Sequence, residues 1–432
     1  MMKDRQNIVI IISDQQRWDS LGCNGNDFVK TPYLDEFSKE ALNFKNSFTP
    51  FPVCTPARAT MWTGVYPHAH GLIHNRYGID DVINYESKIP TTVFEMLQNA
   101  GYTTAYFGKW HLGEKNSGRF DIWEGFNSHG GHWIDGKQSF QGGKYKSYEY
   151  NDLFIKFIKS PQSKKKPFVG VISYYPPHNP FTAPIEFYKP YRGKGIPFAG
   201  YYAAVSAIDY CAGNIIKAIK NERLFDDTII FYISDHGETF NYRDSNLLNK
   251  GSIDVSLHKW LCYEESIRIP TILYVPGQTG KKILKPIGLQ DLSPTILDIA
   301  GIKIPDYMHG KSLLRFLSNQ TFKWRDDYYI ESERRKTRTF QRAIWTNKWK
   351  LILGWDENHY LFNLNTDPEE ELNIFNTPRK DKHNQFSHFQ EYSNIIINLT
   401  KRMKKNAVEI NDIIGLELFD KIIRQKNYFN NK

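Results

Sequence analysis

A cysteine, a proline and an arginine stand close together at Cys54, Pro56 and Arg58, directly after a loop rich in proline and aromatic residues. The residues that follow, which include Met61 and Trp62, form an apolar run that suits a helix. We therefore predict that Cys54 lies near a helix N-terminus, where the partial positive charge of the helix favours bound anions. A thiol in that position would serve as a nucleophile.

Two pairs of polar residues follow apolar runs at widely separated places in the chain. Asp14 and Gln15 come directly after a run near the N-terminus, and Asp235 and His236 come directly after another. Because ligands of open sheets gather at the carboxyl ends of the strands, we expect the two pairs to face one cleft. Carboxylate and amide oxygens suit a hard divalent cation, and an imidazole suits a softer one. Asp14 alone would serve equally well as a helix cap, but both pairs together with Cys54 predict a metal site.

Basic residues stand in three further segments. Lys109 and His111 follow an apolar run, His178 lies in a proline-rich turn, and Lys259 precedes a mixed acidic and apolar segment. Cations placed around a reacting anion would stabilise its negative charge. Taken singly, such residues are more typical of surface loops and turns.

The order of these segments resembles that of the sulfatases, a branch of the alkaline phosphatase superfamily. Cys54 to Arg58, followed by Thr63 and Gly64, is similar to the family signature C-x-P-x-R, whose cysteine is oxidised after translation to formylglycine. The resemblance extends over about residues 7 to 375 and keeps the order of the family throughout. The other matching segments are Gly108 to Gly113, Pro176 to Phe181, Lys259 with Tyr263 to Pro270, and Leu361 to Glu369.

The resemblance implies a metal site and a modified residue. It assigns to a divalent metal the side chains of Asp14, Gln15, Asp235 and His236 and the formylglycine made from Cys54. Ca²⁺ is the first candidate, and Mn²⁺ and Zn²⁺ are alternatives. Many sulfatases have a second aspartate where this chain has Gln15, and the glutamine and histidine variant occurs in choline sulfatases and phosphonate monoester hydrolases. The family is therefore more closely defined than the metal or the substrate.

The resemblance also implies roles for the basic residues. Lys109, His178 and Lys259 would bind the sulfate ester, and Arg58 would orient the hydrated formylglycine. In the family mechanism one hydroxyl of that hydrate attacks sulfur while an acid protonates the departing alcohol. His178 is our first candidate for this acid and Lys259 the second, since an imidazole titrates near neutral pH. His111 would take the proton of the second hydroxyl when sulfate is expelled.

The sequence leaves other functions open. A phosphonate monoester or phosphodiester hydrolase would use the same nucleophile with a similar metal site, and a choline sulfatase would share the metal-site variant. A non-catalytic binder of sulfated or phosphorylated glycans is a third alternative, although every catalytic position carries a competent residue. We favour a sulfated saccharide because aromatic residues in polar loops suit a sugar ring. The candidate substrate loops are Asn75 to Tyr85, Glu114 to Tyr150 with Trp123, His129, His132 and Trp133, and Asn241 to Ser256.

The predicted fold is α/β, with a large mixed, mostly parallel sheet sandwiched by helices. Short apolar runs rich in branched residues alternate with helical patterns, and each run is typical of a parallel strand buried on both faces. From about Thr337 alternating aromatic segments indicate a small antiparallel sheet, with a terminal helix from Phe386 onward. We therefore predict a catalytic domain over residues 1–336 and a C-terminal subdomain over residues 337–432. The predicted strands are Ile8 to Ile12, Thr103 to Phe107, Phe168 to Ser173, Thr228 to Ser234 and Thr271 to Val275, and the predicted helices are Tyr33 to Ala41, Thr92 to Ala100, Tyr201 to Glu222 and Ser293 to Ala300.

Composition and charge narrow the choice of partners. The chain of 432 residues carries a net charge of +9, but its basic residues are interspersed with 47 acidic ones, so we expect no nucleic-acid partner. The four dispersed cysteines form no C-x-x-C pair, which indicates a reducing compartment. No apolar run is long enough for a membrane span or a signal peptide, and we expect a cytoplasmic protein. The expected partners are a small-molecule or saccharide sulfate ester and a formylglycine-generating enzyme that acts on Cys54; the oligomeric state is left open.

Overall fold

The computed structural model describes residues 5–78, 80, 82–89, 91–128, 131–138, 141–240, 259–318, 321–334, 339–355, 358–376 and 392–430. Within these residues the chain forms one large sheet, a pair of short strands and a smaller sheet near the C-terminus. The strands are β1 (Asn7–Asp14), β2 (Leu42–Phe44), β3 (Ser47–Phe48), β4 (Thr103–Lys109), β5 (Ile122–Phe126), β6 (Phe168–Pro177), β7 (Thr228–Ser234), β8 (Thr271–Tyr274), β9 (Lys281–Ile283), β10 (Ile287–Gly288), β11 (Asp327–Arg334), β12 (Thr339–Thr346), β13 (Trp349–Gly354) and β14 (Tyr360–Asn363).

The large sheet has eight strands in the order β5-β4-β6-β1-β7-β8-β2-β9. The first five of these strands run parallel to one another, which confirms the predicted α/β class. The sequence predicts a parallel strand at Thr271 to Val275, but β8 runs antiparallel to β7 and to β2. A continuous apolar run indicates that both faces of a strand are covered, and it says nothing about the direction of the strand.

The side chains of β1 show why this strand is apolar throughout. Ile8, Ile10 and Ile12 pack into the core on one face of the sheet, whereas Val9 and Ile11 pack into a separate core on the other face. Successive side chains of a strand point to opposite faces, so a strand between two helical layers needs apolar residues at every position. Full burial of each such side chain contributes roughly 1.5–3 kcal/mol.

Helices cover both faces of the sheet. Cys54–Thr63 packs with the core of Ile8, and the long helix Ala199–Asn221 packs with the core of Val9. Among the residues that the model describes, no helix has both the length and the apolar character needed to cross a membrane. The remaining α-helices are Pro32–Phe37, Pro67–His70, Val82–Tyr85, Val93–Asn99, Lys146–Lys159, Gln162–Lys165, Glu264–Ile267, Leu292–Ile299, Ser393–Glu409 and Ile413–Asn430, and the 3₁₀ helices are Gly22–Asn24, Ile185–Tyr188, Phe225–Asp227, Leu289–Asp291, Leu313–Leu317 and Ile374–Asn376.

The smaller sheet is an antiparallel meander of β11, β12, β13 and β14. It begins at Asp327, earlier than the change of pattern at Thr337, so a domain boundary after residue 336 would separate β11 from its own sheet. The buried Glu331 and Glu333 interrupt the apolar alternation of β11 and conceal this strand in the sequence. Two helices, Ser393–Glu409 and Ile413–Asn430, follow where one terminal helix is predicted, and its predicted start at Phe386 lies outside the described residues.

The smaller sheet packs behind the loop that leads into Cys54. The backbone N–H of Glu331 donates to the carbonyl oxygen of Pro50 over 2.8 Å. The rings of Phe48 and Tyr328 stack with centroids 5.1 Å apart. The C-terminal part of the chain therefore holds the backbone just before the predicted nucleophile.

Candidate active site

Cys54 is the first residue of the helix Cys54–Thr63, which confirms its predicted place at a helix N-terminus. Val53 before it is extended, and the helix ends at Gly64, whose φ of +72° favours glycine. The backbone N–H of Thr55 in the first turn donates to Oδ1 of Asn75 over 3.1 Å. Cys54 is fully buried, so its thiol faces an interior site.

The two predicted polar pairs lie next to each other because β1 and β7 are adjacent parallel strands. Asp14 is the last residue of β1, and Asp235 and His236 directly follow β7. Nε2 of His236 lies 3.2 Å from Sγ of Cys54, and Oδ1 of Asp14 lies 3.9 Å from the same sulfur. One ligand atom from each of these four side chains lies within 4.8 Å of all the others. Gln15 joins them through its backbone N–H, which donates to Oδ1 of Asp235 over 3.0 Å.

Arg58 lies fully buried beneath this group and binds both carboxylates. Its Nε donates to Asp235 and its Nη2 donates to Asp14, each over 2.9 Å. Its Nη1 donates to the backbone oxygen of Lys109 over 2.6 Å and to Oγ of Ser173 over 2.9 Å. The sequence predicts that Arg58 orients residue 54 directly, whereas its hydrogen bonds in the structure fix the two carboxylates and the end of β4. A buried guanidinium needs such acceptors because each unpaired N–H would be costly.

Lys109 and Lys259 both reach the sulfur of Cys54. Nζ of Lys109 lies 3.7 Å from Sγ and 2.6 Å from Oδ2 of Asp14. Nζ of Lys259 lies 3.3 Å from Sγ and 2.9 Å from Oε1 of Gln15. Lys109 also lies over the ring of Tyr175, 4.5 Å from its centroid. Two ammonium groups thus converge on the atom that is predicted to be the nucleophile.

These cations change the titration of the buried acids. Burial and the neighbouring Asp14 would raise the pKa of the Cys54 thiol, but Lys109, Lys259 and His236 outweigh them and lower it. Burial would also raise the pKa of Asp14, which Lys109 and other nearby cationic groups hold well below its ordinary value. The site therefore stabilises negative charge at both residues.

His111 lies in the same interior with a positive φ of 58°. Among the described residues neither of its ring nitrogens has a hydrogen-bond partner. Burial, together with Lys109 and Arg58, lowers the pKa of His111 well below its ordinary value. The ring is therefore neutral at neutral pH and carries a free lone pair for a proton.

His178 differs from the sequence-based expectation in its protonation. Nδ1 of His178 lies 2.9 Å from the backbone oxygen of Asn179 and donates to it, and Nε2 lies 2.9 Å from Nζ of Lys259. Because an ammonium group only donates, Nε2 accepts and carries no proton. Burial, Lys259 and Lys109 together lower the pKa of His178 well below its ordinary value, which agrees with a neutral ring.

The structure adds two residues that sequence reasoning missed, Tyr175 and Glu238, and it gives Asn75, part of a predicted substrate loop, a contact of another kind. Asn75 binds the first turn of the nucleophile helix, Tyr175 lies beneath Lys109, and the buried carboxylate of Glu238 accepts a hydrogen bond from Nε2 of Gln15. Glu238 stands two residues after His236, and that proximity was the signal that could have drawn attention to it. Tyr175 is the half-buried residue of the otherwise buried strand β6, and only its tertiary contacts identify it.

Several residues of the predicted substrate loops have a packing role instead. Trp123 lies in β5 and packs on Phe120, with ring centroids 5.4 Å apart. Trp133 is buried and donates from Nε1 to Oγ1 of Thr182 over 3.0 Å. His132 is buried as well and bonds through Nδ1 to the backbone oxygen of Thr182 over 2.8 Å. His129 and the loop Asn241 to Ser256 lie outside the described residues.

Known proteins resemble this chain over most of its length. A family model described as Sulfatase matches residues 6–302, and a model described as N-sulphoglucosamine sulphohydrolase, C-terminal, matches residues 256–406. An ulvan-active sulfatase from Formosa agariphila is 30% identical over 351 residues, which are 73% of this chain and 65% of that protein. An arylsulfatase from Clostridium perfringens is 27% identical over 461 residues, which are 86% of this chain and 91% of that protein.

A solved structure has the same fold. It is the structure of a protein in complex with its substrate D-glucosamine-2-N,6-O-disulfate. It superposes on this chain with a TM-score of 0.75 at 21% identity, and the superposition covers 95% of this chain and 99% of that chain. The family match spans the nucleophile helix, both polar pairs and Lys109, His178 and Lys259. The chain belongs to the sulfatase family and is a sulfuric ester hydrolase.

Proposed function

We propose that this protein hydrolyses a sulfate monoester of a saccharide, using a formylglycine hydrate at position 54 and a divalent metal. The observation that carries the proposal is the convergence of two ammonium groups on Sγ of Cys54, 3.3 Å from Lys259 and 3.7 Å from Lys109. A sulfuryl group in transfer carries negative charge on its oxygens, and preorganised cations in a buried site stabilise that charge. Sγ of Cys54 stands for an oxygen of the formylglycine hydrate, whose hydroxyl-bearing carbon is the Cβ of residue 54.

The residues beside Cys54 fit a divalent cation. Two buried carboxylates, Asp14 and Asp235, lie with His236 around one point, and Gln15 adds an amide oxygen nearby. Such a donor set is typical of Ca²⁺ or Mn²⁺, and the imidazole also suits Zn²⁺. We propose Ca²⁺ first. When bound, the cation would polarise the sulfate ester and make the hydroxyls at position 54 more acidic.

The formylglycine hydrate would supply a hydroxyl that loses its proton to solvent and attacks sulfur, and a second hydroxyl whose deprotonation later expels sulfate and restores the aldehyde. Lys109 would hold the sulfuryl oxygens from the end of β4. As the bond between sulfur and the alcohol oxygen breaks, Lys259 would donate a proton to that oxygen. We assign this step to Lys259 because Nε2 of His178 accepts from Lys259 and has no proton to give. His178 then acts by orienting the ammonium group.

His111 is our candidate for the base of the second step. Its neutral ring has two nitrogens without a hydrogen-bond partner among the described residues, and its burial excludes bulk water. It would accept the proton of the second hydroxyl, after which the bond from carbon to the sulfate oxygen breaks. The proton would return to solvent when sulfate leaves.

The alcohol part of the substrate would lie outside this interior, at the side chain of Tyr77. Tyr77 is 60% exposed, yet its ring lies 5.5 Å from that of His111, and its hydroxyl accepts from Nδ2 of Asn75 over 3.3 Å. A held aromatic face at the mouth of a polar pocket suits the apolar face of a sugar ring. The ulvan-active sulfatase and the disulfated glucosamine named in the solved complex support a sulfated sugar over choline sulfate.

Turnover and mass spectrometry together test the proposed function. The full chain would be produced with a formylglycine-generating enzyme, and the mass of the peptide that contains residue 54 would be measured by mass spectrometry. We expect the aldehyde mass, and turnover of sulfated monosaccharides and disaccharides in preference to an aryl phosphonate, a phosphodiester and choline sulfate, with added Ca²⁺ or Mn²⁺.

Cys54→Ala is the matched variant for this test. It should abolish turnover and leave the fold and ligand binding intact, since the small side chain fits the same space. An intact thiol in active protein would contradict the formylglycine, and a preference for the phosphonate would contradict the sulfate assignment.

A further inference from the structure

The side-chain amide of Gln15 is held from two sides by groups of opposite character. Its Nε2 donates to Oε2 of Glu238, and its Oε1 accepts from Nζ of Lys259 over 2.9 Å. A carboxylate only accepts and an ammonium only donates, so this pair permits one orientation of the amide. The oxygen of Gln15 consequently faces the ammonium group that also contacts Cys54.

Glu238 is placed by its backbone and not by the amide that it binds. Its N–H donates to the backbone oxygen of Glu265 over 2.8 Å, and its own backbone oxygen accepts from Nη1 of Arg17 over 3.3 Å. The preceding Gly237 runs so close to this segment that a Cβ there would lie 2.0 Å from the backbone oxygen of Glu265. Glu238 is fully buried, so a fixed carboxylate is built into the wall of the site.

The charges of the site indicate what the carboxylate of Glu238 contributes. The three buried cations Arg58, Lys109 and Lys259 face the two carboxylates Asp14 and Asp235. A divalent cation added to this group would meet an excess of positive charge, and Gln15 contributes no negative charge to offset it. Glu238 provides a third carboxylate, which binds the amide nitrogen of Gln15.

We propose that Glu238 is a positioning residue for the metal site: it fixes the oxygen of Gln15 on the side of Lys259 and Cys54, and it supplies the negative charge that a carboxylate at position 15 would carry. This inference rests on the divalent metal of the proposed function. Residues that hold a ligand from behind typically alter metal affinity by about 10- to 100-fold when they are changed.

Calorimetric titration of the metal-stripped, full-length protein with Ca²⁺ and with Mn²⁺ tests the inference. Glu238→Gln keeps the shape of the side chain but removes its charge and its exclusive acceptor character. We expect it to weaken metal binding about 10- to 100-fold. Glu265→Gln is the matched control, since its carboxylate pairs with Arg17 over 3.1 Å, and it should bind metal as the unaltered chain does.

A charge-exchanged double variant separates positioning from packing. Gln15→Glu combined with Glu238→Gln reverses the hydrogen bond, because the amide at 238 now donates to a carboxylate at 15, and it returns the charge to the site. We expect this protein to regain most of the lost affinity, which a merely structural role of Glu238 would not produce.

The outcomes distinguish this inference from the proposed function. No metal binding by the unaltered chain would overturn the metal centre and the inference with it. Metal binding by the unaltered chain, with equal affinity in Glu238→Gln, would overturn the inference alone. If Glu238→Gln does not fold, the double variant decides, and its failure to bind metal while folded would also overturn the inference.

Discussion

Nδ1 of His68 lies 2.6 Å from Oε1 of Glu331 and joins the helical region after the nucleophile to the C-terminal sheet. Nε2 of the same ring lies 2.8 Å from the backbone oxygen of Ile410, between the two C-terminal helices. Both ring nitrogens face acceptors, which a doubly protonated imidazole satisfies. Burial opposes this charge, but Glu331 and then Asp412 raise the pKa of His68 to about 9.

We predict that this histidine makes the stability of the protein depend on pH. The folded-state pKa of His68, about 9, lies above its ordinary value of 6.5, so its contribution is complete below about pH 6.5 and is lost as the pH rises through about 9. The loss would amount to at most about 3 kcal/mol. Denaturant unfolding at a series of pH values measures it. His68→Gln should lack this component, and equal pH slopes in the two proteins would contradict the prediction.

Arg58 should be among the residues most costly to change. Arg58→Ala leaves the carboxylates of Asp14 and Asp235 buried without their common partner, and we expect a loss of about 3–5 kcal/mol in the free energy of unfolding. Lys404→Ala is the control, because its pair with Asp420 is 47% and 46% exposed and contributes about 0–1 kcal/mol. Urea unfolding of the metal-free proteins compares them. A loss for Arg58→Ala as small as that of the control would contradict the role of Arg58 as the common partner of Asp14 and Asp235.

Lys259 and His178 should differ in their sensitivity to the leaving group. If Lys259 protonates the departing alcohol, Lys259→Ala should reduce kcat by about 100- to 10,000-fold for alkyl or sugar sulfates. The reduction should be far smaller for nitrophenyl sulfate, whose phenol leaves without a proton. The loss of kcat in His178→Ala should depend less strongly on the leaving group, since His178 acts through Lys259. Measurement of kcat over a series of aryl sulfates whose phenols differ in acidity tests this assignment. A steeper dependence on phenol acidity in His178→Ala than in Lys259→Ala would make His178 the acid.

Tyr77 should affect the binding of the sugar and not the chemistry. We expect Tyr77→Ala to raise KM for a sulfated saccharide about 3- to 10-fold, as the loss of one aromatic contact implies, with little change in kcat. Turnover of a small aryl sulfate measured beside it shows whether the buried site is intact. Tyr33→Ala, an exposed tyrosine of the helix Pro32–Phe37, is the control. Equal KM values for Tyr77→Ala and Tyr33→Ala would exclude a contact with the sugar.

The sequence predicted those site residues whose place follows from the local pattern of the chain. Cys54 at a helix start and Asp14, Asp235 and His236 at strand ends follow from the pattern of apolar runs, because neighbouring parallel strands release their chains at one edge. The direction of β8 and the existence of β11 were not predictable in this way. The direction of a strand depends on the strands with which it pairs. The buried Glu331 is a charged residue at a position where an apolar residue would have indicated a strand.

The functions of individual side chains were harder to predict, because they depend on contacts between distant segments. Arg58 binds Asp14 and Asp235, and His178 accepts from Lys259, although these residues stand far apart in the chain. Trp123 is typical of a loop residue in the sequence, but β5 pairs with β4 and partly buries it. The cytoplasmic location and the choice of Ca²⁺ stay predictions.

The bond between Glu331 and Pro50 and the stacking of Tyr328 on Phe48 have a consequence for biosynthesis. The backbone ahead of Cys54 gains its final support only after more than two thirds of the chain has left the ribosome, because β11 begins at Asp327 of 432 residues. If Cys54 is oxidised as proposed, the maturating enzyme would reach the thiol most readily before this support forms. Under the proposed function, the late arrival of this strand would give the enzyme that oxidises Cys54 an interval before the site is complete.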